Sequence, residues 1–259
     1  MKQIIGVAFL AMALCFGNHA NAEGKAAERK TFVIGVEDFD YYPLHSMSRG
    51  SEFTGFARDV LDAFAHEHGY TFVYQPLPIN RLFAVFFEKN TLDFKYPDNP
   101  HWQTERRQGV RLSYSTPLVV SEEGALVLPS HKGRSLLHIK TMGTMLGFTP
   151  WPYLSFINDK SVTLVIDDNF DSLLRQAIGG HIDVVYMNVD VAKYRLETQL
   201  KEPQGLVFDL DLPHAASDFS LSTRQHHEII RQLNLFLQRQ PLLLPRLREK
   251  YHIQGSDRR

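Results

Sequence analysis

The chain has 259 residues, with 28 Lys and Arg against 29 Asp and Glu and a formal net charge of −1. Hydrophobic residues make up 44% and aromatics 12%, which excludes a disordered or collagen-like chain. The near-neutral balance argues against a dedicated nucleic-acid binder, which carries a basic excess, and the length fits one large or two modest domains.

Residues 1–22 read as a secretory signal peptide. Lys2 supplies the positive start, Ile4 to Phe16 an apolar stretch, and Ala20-Asn21-Ala22 a small-residue cleavage site. The stretch is shorter than the roughly 20 residues a spanning helix needs. Leu14 before Cys15 is too bulky for a lipoprotein signal. Cys15 is the only cysteine and leaves with this segment, so no disulfide, thiolate metal site or cysteine nucleophile remains. A periplasmic location is expected for such an exported chain, stabilised by its core alone. Residues 23–30 read as a loose arm.

Thr31 to Val36 reads as a buried strand, followed by a loop over Asp38 to Arg49. Gly55 to His68 has helical spacing, with Phe56, Val60, Leu61, Phe64 and Ala65 on one stripe. Gly69 ends it, and Tyr70 to Tyr74 is a second strand. Asn80 to Lys89 reads as a helix and Leu92 to Tyr96 as a short strand. Strands follow at Gly124 to Leu128 and Lys140 to Gly143, and a helix is expected from Gly147 onward. Val162 to Ile166 is a strand, Ser172 to Ile178 a helix, Ile182 to Met187 a strand and Val189 to Leu200 a helix. Phe219 to Ser222 begins a final section with helices over His227 to Gln238 and Leu242 to Tyr251. The repeated β-α-β-α-β plan predicts an α/β fold of two lobes, each an open, mostly parallel sheet flanked by helices.

Several segments carry a family likeness in order. They are IGVEDFDYYPL at 34–44, GFARDVLDAFAHEHGYTFVY at 55–74, LDF at 92–94, TERR at 104–107 and SYSTPL at 113–118. TMGTMLGFT at 141–149, LLRQAIGGHIDVVYMNVDVAKY at 173–194 and REKY at 248–251 continue it. Together they resemble the family 3 extracellular solute-binding proteins, the amino-acid receptors of bacterial uptake systems. The resemblance covers nearly all of the mature chain. It implies a type II periplasmic binding fold with two crossing segments, near Pro117 to Gly124 and Asp209 to Asp218. Lobe 1 would comprise residues 31–118 and 214–253, lobe 2 residues 119–213, and a tail residues 254–259. Ligands of this fold sit between the lobes, at loops leaving strand ends, and the lobes close by a hinge.

The resemblance also points to ligand residues. Arg106 or Arg107 would anchor a ligand carboxylate through a forked guanidinium, with Arg106 preferred and the other left as a solvated charge. Thr149, in Gly147-Phe148-Thr149, either helps bind that carboxylate at a helix start or simply caps the turn. Tyr41 and Tyr42 stand where an aromatic covers the ligand, although one of them is equally suited to packing under the loop. Glu37 would receive an amine or cap a helix. Two departures stand out. The position that usually holds an ammonium-binding Asp is Asn188, with Asp190 two residues on. The stretch that often supplies hydroxyls reads Tyr96-Pro97-Asp98-Asn99-Pro100-His101-Trp102, where Asp98 would take the ammonium and Trp102 form a wall. Both departures weigh against an ordinary α-amino acid, and a degenerate site is the plain alternative. His66, His68 and the pair His226-His227 lack metal-ligand spacing and read as surface histidines.

The expected function is capture of a small polar, carboxylate-bearing ligand, an amino acid or a relative. Delivery would be to an inner-membrane ABC permease or to a membrane sensor. No cofactor, metal or nucleic acid is called for, no catalytic residue is assigned, and a monomer is expected. The alternative is an enzyme on the same fold, such as a periplasmic dehydratase acting on prephenate-like acids, with Asp98, Glu37 or Glu122 as acid or base. No G-x-S-x-G, H-E-x-x-H or P-loop is present.

Overall fold

The computed structural model describes residues 29–47, 52–89 and 91–254. The signal peptide, most of the arm and nearly all of the tail lie outside the described residues.

The first part of the chain builds a three-stranded parallel unit. Strand β1 (Lys30–Glu37) lies between β4 (Tyr70–Leu77) and β5 (Phe94–Asp98), parallel to both. As a central strand, β1 buries nearly its whole second half, whereas the outer strand β4 is buried only at its last residue. Pro76 is tolerated there because an edge strand needs no ladder donor on its open side. Between β1 and β4 comes a short hairpin, β2 (Asp40–Tyr41) with β3 (His45–Ser46), and then helix α1 (Phe56–His68). The predicted stripe of α1 is the buried one, and Gly69 closes the helix at φ 67°, where a side chain would be strained. Helix α2 (Ile79–Ala84) runs on through a wider π turn, Val85–Lys89, and packs Leu82, Phe83 and Phe86 into a separate cluster with Leu77 and Leu92.

Strand β6 (Ser113–Tyr114) is brief, and β7 (Val119–Val127) begins the second part. That part contains β8 (Thr141–Met145), α3 (Leu154–Asn158), β9 (Thr163–Asp167), α4 (Phe170–Ile178) and β10 (Val184–Asn188). It ends with α5 (Val189–Arg195), extended by a π turn over Leu196–Leu200, and β11 (Val207–Phe208). Strands β10, β8 and β9 are parallel. The helix expected from Gly147 starts only at Leu154, after a 3-10 turn at Trp151–Tyr153. Pro150 and Pro152 explain the delay, since a residue before proline is pushed out of the helical region.

Strand β12 (Ala215–Thr223) joins the two parts. Its first residues, Ala215 to Phe219, pair antiparallel with Glu123 to Val119 of β7. Ser220 and Ser222 then pair with Asp98 and Lys95 of β5 across a bulge. The strand order is therefore β4-β1-β5-β12-β7-β10-β8-β9. Helices α6 (His227–Arg239) and α7 (Leu243–Lys250) return to the first part. There Leu233 and Phe236 of α6 join Phe64 of α1 in the largest core cluster. His226 and His227 are not free surface groups. The Nε2 of His226 lies 2.7 Å from an Asp93 carboxylate oxygen, and the Nδ1 of His227 lies 2.8 Å from the Ser113 hydroxyl.

Candidate functional site

A small cavity of ≈ 30 Å³, room for one or two waters, lies between the two parts. Glu37, Tyr41, Ile79, Phe83 and Trp102 line it from the first part. Glu123, Gly147, Phe148, Thr149, Tyr186 and Met187 line it from the second, and Phe219 of β12 closes it. Glu37 ends β1, Met187 is next to last in β10, and the Gly147 loop follows β8. The cavity thus sits at the carboxyl ends of parallel strands, where an open α/β sheet leaves a crevice.

Local structure explains each wall. The β2–β3 hairpin turns Tyr41 inward, where it is 1% exposed, while Tyr42 points away and packs its ring 4.5 Å from that of Tyr194. Gly147 has φ 89°, and a Cβ there would come within 3.1 Å of Ile79. Only glycine lets this loop approach α2 so closely. Around Tyr41 lie the rings of Phe39, Phe148 and Phe170, at centroid distances of 5.5, 5.7 and 5.4 Å. Trp102 meets Phe219 at 5.4 Å. These rings fasten the two parts together across the cavity. Arg195 adds a polar clasp, reaching Asp171 of α4 at 2.8 Å and both the carbonyl and carboxylate of Asp40.

Two carboxylates face this apolar space. Glu37 is 5% exposed, and its Oε2 lies 3.4 Å from the Nε2 of buried His45, without hydrogen-bonding geometry. Glu123 is 6% exposed. Burial pushes its carboxyl up to about 7; Ser217 opposes this, and the negative charge of Glu37 adds to it. The Tyr186 hydroxyl is buried without a hydrogen-bond partner, and burial together with Glu123 pushes it far above the usual phenol range. Among the described residues, no Lys, Arg or His lines the cavity.

The remaining expected site residues lie elsewhere. Arg106 is on the surface, 2.8 Å from Glu88. Arg107 is held by the chain itself: Nη2 donates to Asp98 Oδ1 at 2.6 Å, Nη1 to Asp98 Oδ2 at 3.1 Å, and Nε to the Trp102 carbonyl at 2.7 Å. Asp98 is fully buried and also binds Lys95 at 3.1 Å. Burial alone would raise the Asp98 carboxyl, but Lys95 and Arg107 together hold it below the usual carboxylate range. Asn188 is buried and occupied. Its Oδ1 accepts from the Asp190 and Val191 amides as the cap of α5, and its Nδ2 donates to the Ser121 hydroxyl at 2.6 Å. Thr149 lies on the cavity wall, but the 3-10 turn and five-residue helix beyond it offer no extended helix start. The structure thus brings Glu37, Tyr41, Trp102 and Thr149 together, and leaves Arg106, Arg107, Tyr42, Asp98 and Asn188 off the wall.

Glu123 and Tyr186 were not anticipated. The signal for Glu123 was present: Val119, Ser121 and Glu123 alternate as buried positions of β7. The stretch is expected only as a crossing segment, Pro117 to Gly124, with Glu122 rather than Glu123 named as a candidate acid or base. Tyr186 was hidden inside an apolar strand.

No protein-family model matches the chain, and no curated protein does. Solved structures do. An ancestral arginine-binding protein bound to arginine superposes with a TM-score of 0.67 at 18% identity, covering 86% of this chain and 98% of its own. A histidine kinase sensor domain with similarity to periplasmic binding proteins gives 0.67 at 16% identity, covering 88% and 97%. An ancestral amino-acid-binding protein, a precursor of cyclohexadienyl dehydratase, gives 0.65 at 18% identity, covering 85% and 94%. The fold is that of the two-lobed periplasmic binding proteins. In this fold β7 and β12 pair antiparallel between the two parts, and the cavity lies between those parts. Among the described residues no helix is long and apolar enough to cross a membrane.

Proposed function

We propose that the chain is a periplasmic solute-binding protein of the family 3 type, which captures a small polar ligand in its interlobe cleft. Release would be to an inner-membrane ABC permease, or occupancy would be reported to a membrane sensor. The observation that carries this reading is the cleft itself: polar groups converge on a space walled by aromatics contributed by both lobes. That is the form of a ligand site rather than of a core, since buried unpaired polar groups cost stability unless a ligand satisfies them. The space described holds only a water or two, so a ligand is taken up when the lobes stand further apart, by the hinge motion through which such folds couple occupancy to shape. Lobe 1 would hold residues 31–118 and 214–253, and lobe 2 residues 119–213.

A dehydratase on this fold would act on an anionic acid and needs a cation for it, and among the described residues the cleft wall carries none. Binding without turnover is therefore the better-supported reading. Protein unfolded and refolded to strip carried ligand tests it in thermal unfolding with amino acids, amines, small dicarboxylates and prephenate. A rise in Tm with one class, and no product formed, is expected. Product from prephenate would make the protein an enzyme, and silence across the whole panel would refute the receptor.

A further inference from the structure

We propose that the cleft selects an organic amine that lacks a carboxylate, with its ammonium set between Glu37 and Glu123 and its aromatic or aliphatic body against the apolar walls. The proposal rests on the receptor reading above and names the ligand class for that same site.

Three observations carry it. First, the charged groups on the wall are both acids, Glu37 from lobe 1 and Glu123 from lobe 2, each nearly fully buried. Two carboxylates facing one small space repel each other, and a cation placed between them removes the repulsion. A ligand carboxylate in the same place would meet two acids and, among the described residues, no cation. Second, neither arginine expected to anchor a ligand carboxylate stands on the wall. Arg106 lies on the surface against Glu88, Asp98 pairs with Arg107 through both oxygens, and Lys95 spends its ammonium on Asp98 and the Pro97 carbonyl, beneath the Phe83 and Trp102 rings. Third, the Tyr186 hydroxyl is buried at the wall with no partner, ready to accept from an ammonium N–H. The Thr149 hydroxyl stands on the same wall.

The walls favour the rest of such a ligand. Phe83, Trp102, Phe148 and Phe219 present ring faces or edges, which attract cations and pack against apolar bodies. Binding from both lobes at once makes the cation a tie between them. Glu37 alone or Glu123 alone would hold an amine in an open cleft, whereas the pair rewards closure.

The test uses matched pairs that differ only in a carboxylate: tyramine and tyrosine, phenethylamine and phenylalanine, agmatine and arginine, cadaverine and lysine. Each is titrated into ligand-stripped protein and followed by thermal unfolding and calorimetry. At least one amine is expected to raise Tm by roughly 5–10 °C when present at about 100 times its Kd. Its parent amino acid is expected to bind at least tenfold more weakly. An amino acid that binds as tightly as its amine overturns the amine class and leaves the receptor intact. Silence from every pair, and from the wider panel above, overturns both. The variants Glu37→Gln and Glu123→Gln are expected to weaken the responding amine at least tenfold. Glu88→Gln, on a residue that pairs with Arg106 at the surface, is expected to leave it unchanged. Amine affinity equal to wild type in both cleft variants overturns the proposal, with near-ultraviolet circular dichroism confirming that each is folded.

Discussion

Replacing Glu123 by Gln is expected to stabilise the free protein at alkaline pH, although it removes a charged side chain. The Glu123 carboxyl titrates near 4.5 in an unfolded chain and is pushed up to about 7 in the fold. The native state therefore holds this proton more tightly than the unfolded state. Below pH 4.5 both states are protonated and Glu123 costs nothing. As pH rises from 4.5 to about 7, stability is lost, and above 7 the full penalty stands. At 1.36 kcal/mol per pH unit the penalty is about 3 kcal/mol. For a chain of this length that corresponds to roughly 6–12 °C in Tm. Glutamine has the shape of the protonated acid and carries no charge, so the variant escapes the penalty. The groups facing Glu123 are Glu37, Ser217, Tyr41 and Tyr186, none of them a cation. Thermal unfolding of both proteins, without ligand, is measured from pH 4 to 8.5. The two Tm curves are expected to meet near pH 4.5 and to separate steadily up to pH 7, with the variant higher. Subtracting them cancels the other carboxylates, including Asp98, whose depressed value acts in the opposite direction and at lower pH. Parallel curves, or a variant less stable at pH 8, would show that Glu123 is not held uncharged by its surroundings.

Two further predictions concern residues away from the wall. Arg107→Ala is expected to cost about 3 kcal/mol in urea unfolding, because it strips a buried carboxylate of its forked partner, whereas Arg106→Ala stays within about 0.5 kcal/mol. Equal costs for the two arginines would contradict this. Asn188→Asp keeps the helix cap but exchanges the donor to Ser121 for a buried negative charge. A loss of about 2 kcal/mol or more is expected, shrinking as pH falls and the new carboxyl is protonated. An unchanged midpoint would mean that Asn188 is not the buried, fully bonded amide the geometry requires.

The predicted elements and the observed ones agree best where the cause is local. The α1 stripe and its Gly69 stop arise from side chains within one turn of each other, and β1 shows its central place through an unbroken apolar run. The early helix expected after Gly147 failed for a local reason too, two prolines that outweighed the likeness to a helix start. Glu37, Tyr41, Trp102 and Thr149, expected from the family resemblance, line one cavity because loops and strand ends at one edge of the sheets face the same crevice.

Partner choice was not legible, because it joins residues far apart in the chain. Arg107 and Asp98 are near in sequence, yet their pairing depends on β5 being buried beside β12, which puts Asp98 where only a cation can hold it ionised. Asn188 meets Ser121 across 67 residues, and that contact makes a group expected to face the ligand into a structural cap. Glu123 lies in a stretch expected only as a crossing segment, and it is the pairing of β7 with β10 and β12 that turns it inward. The sequence by itself determined the α/β plan, since that follows from hydrophobic period and turn residues, while the crossing segments and the aromatic ligand wall are what the family resemblance implies. The tertiary structure alone decided the electrical sign of the site, because a buried charge takes its character from whichever neighbours the fold places beside it.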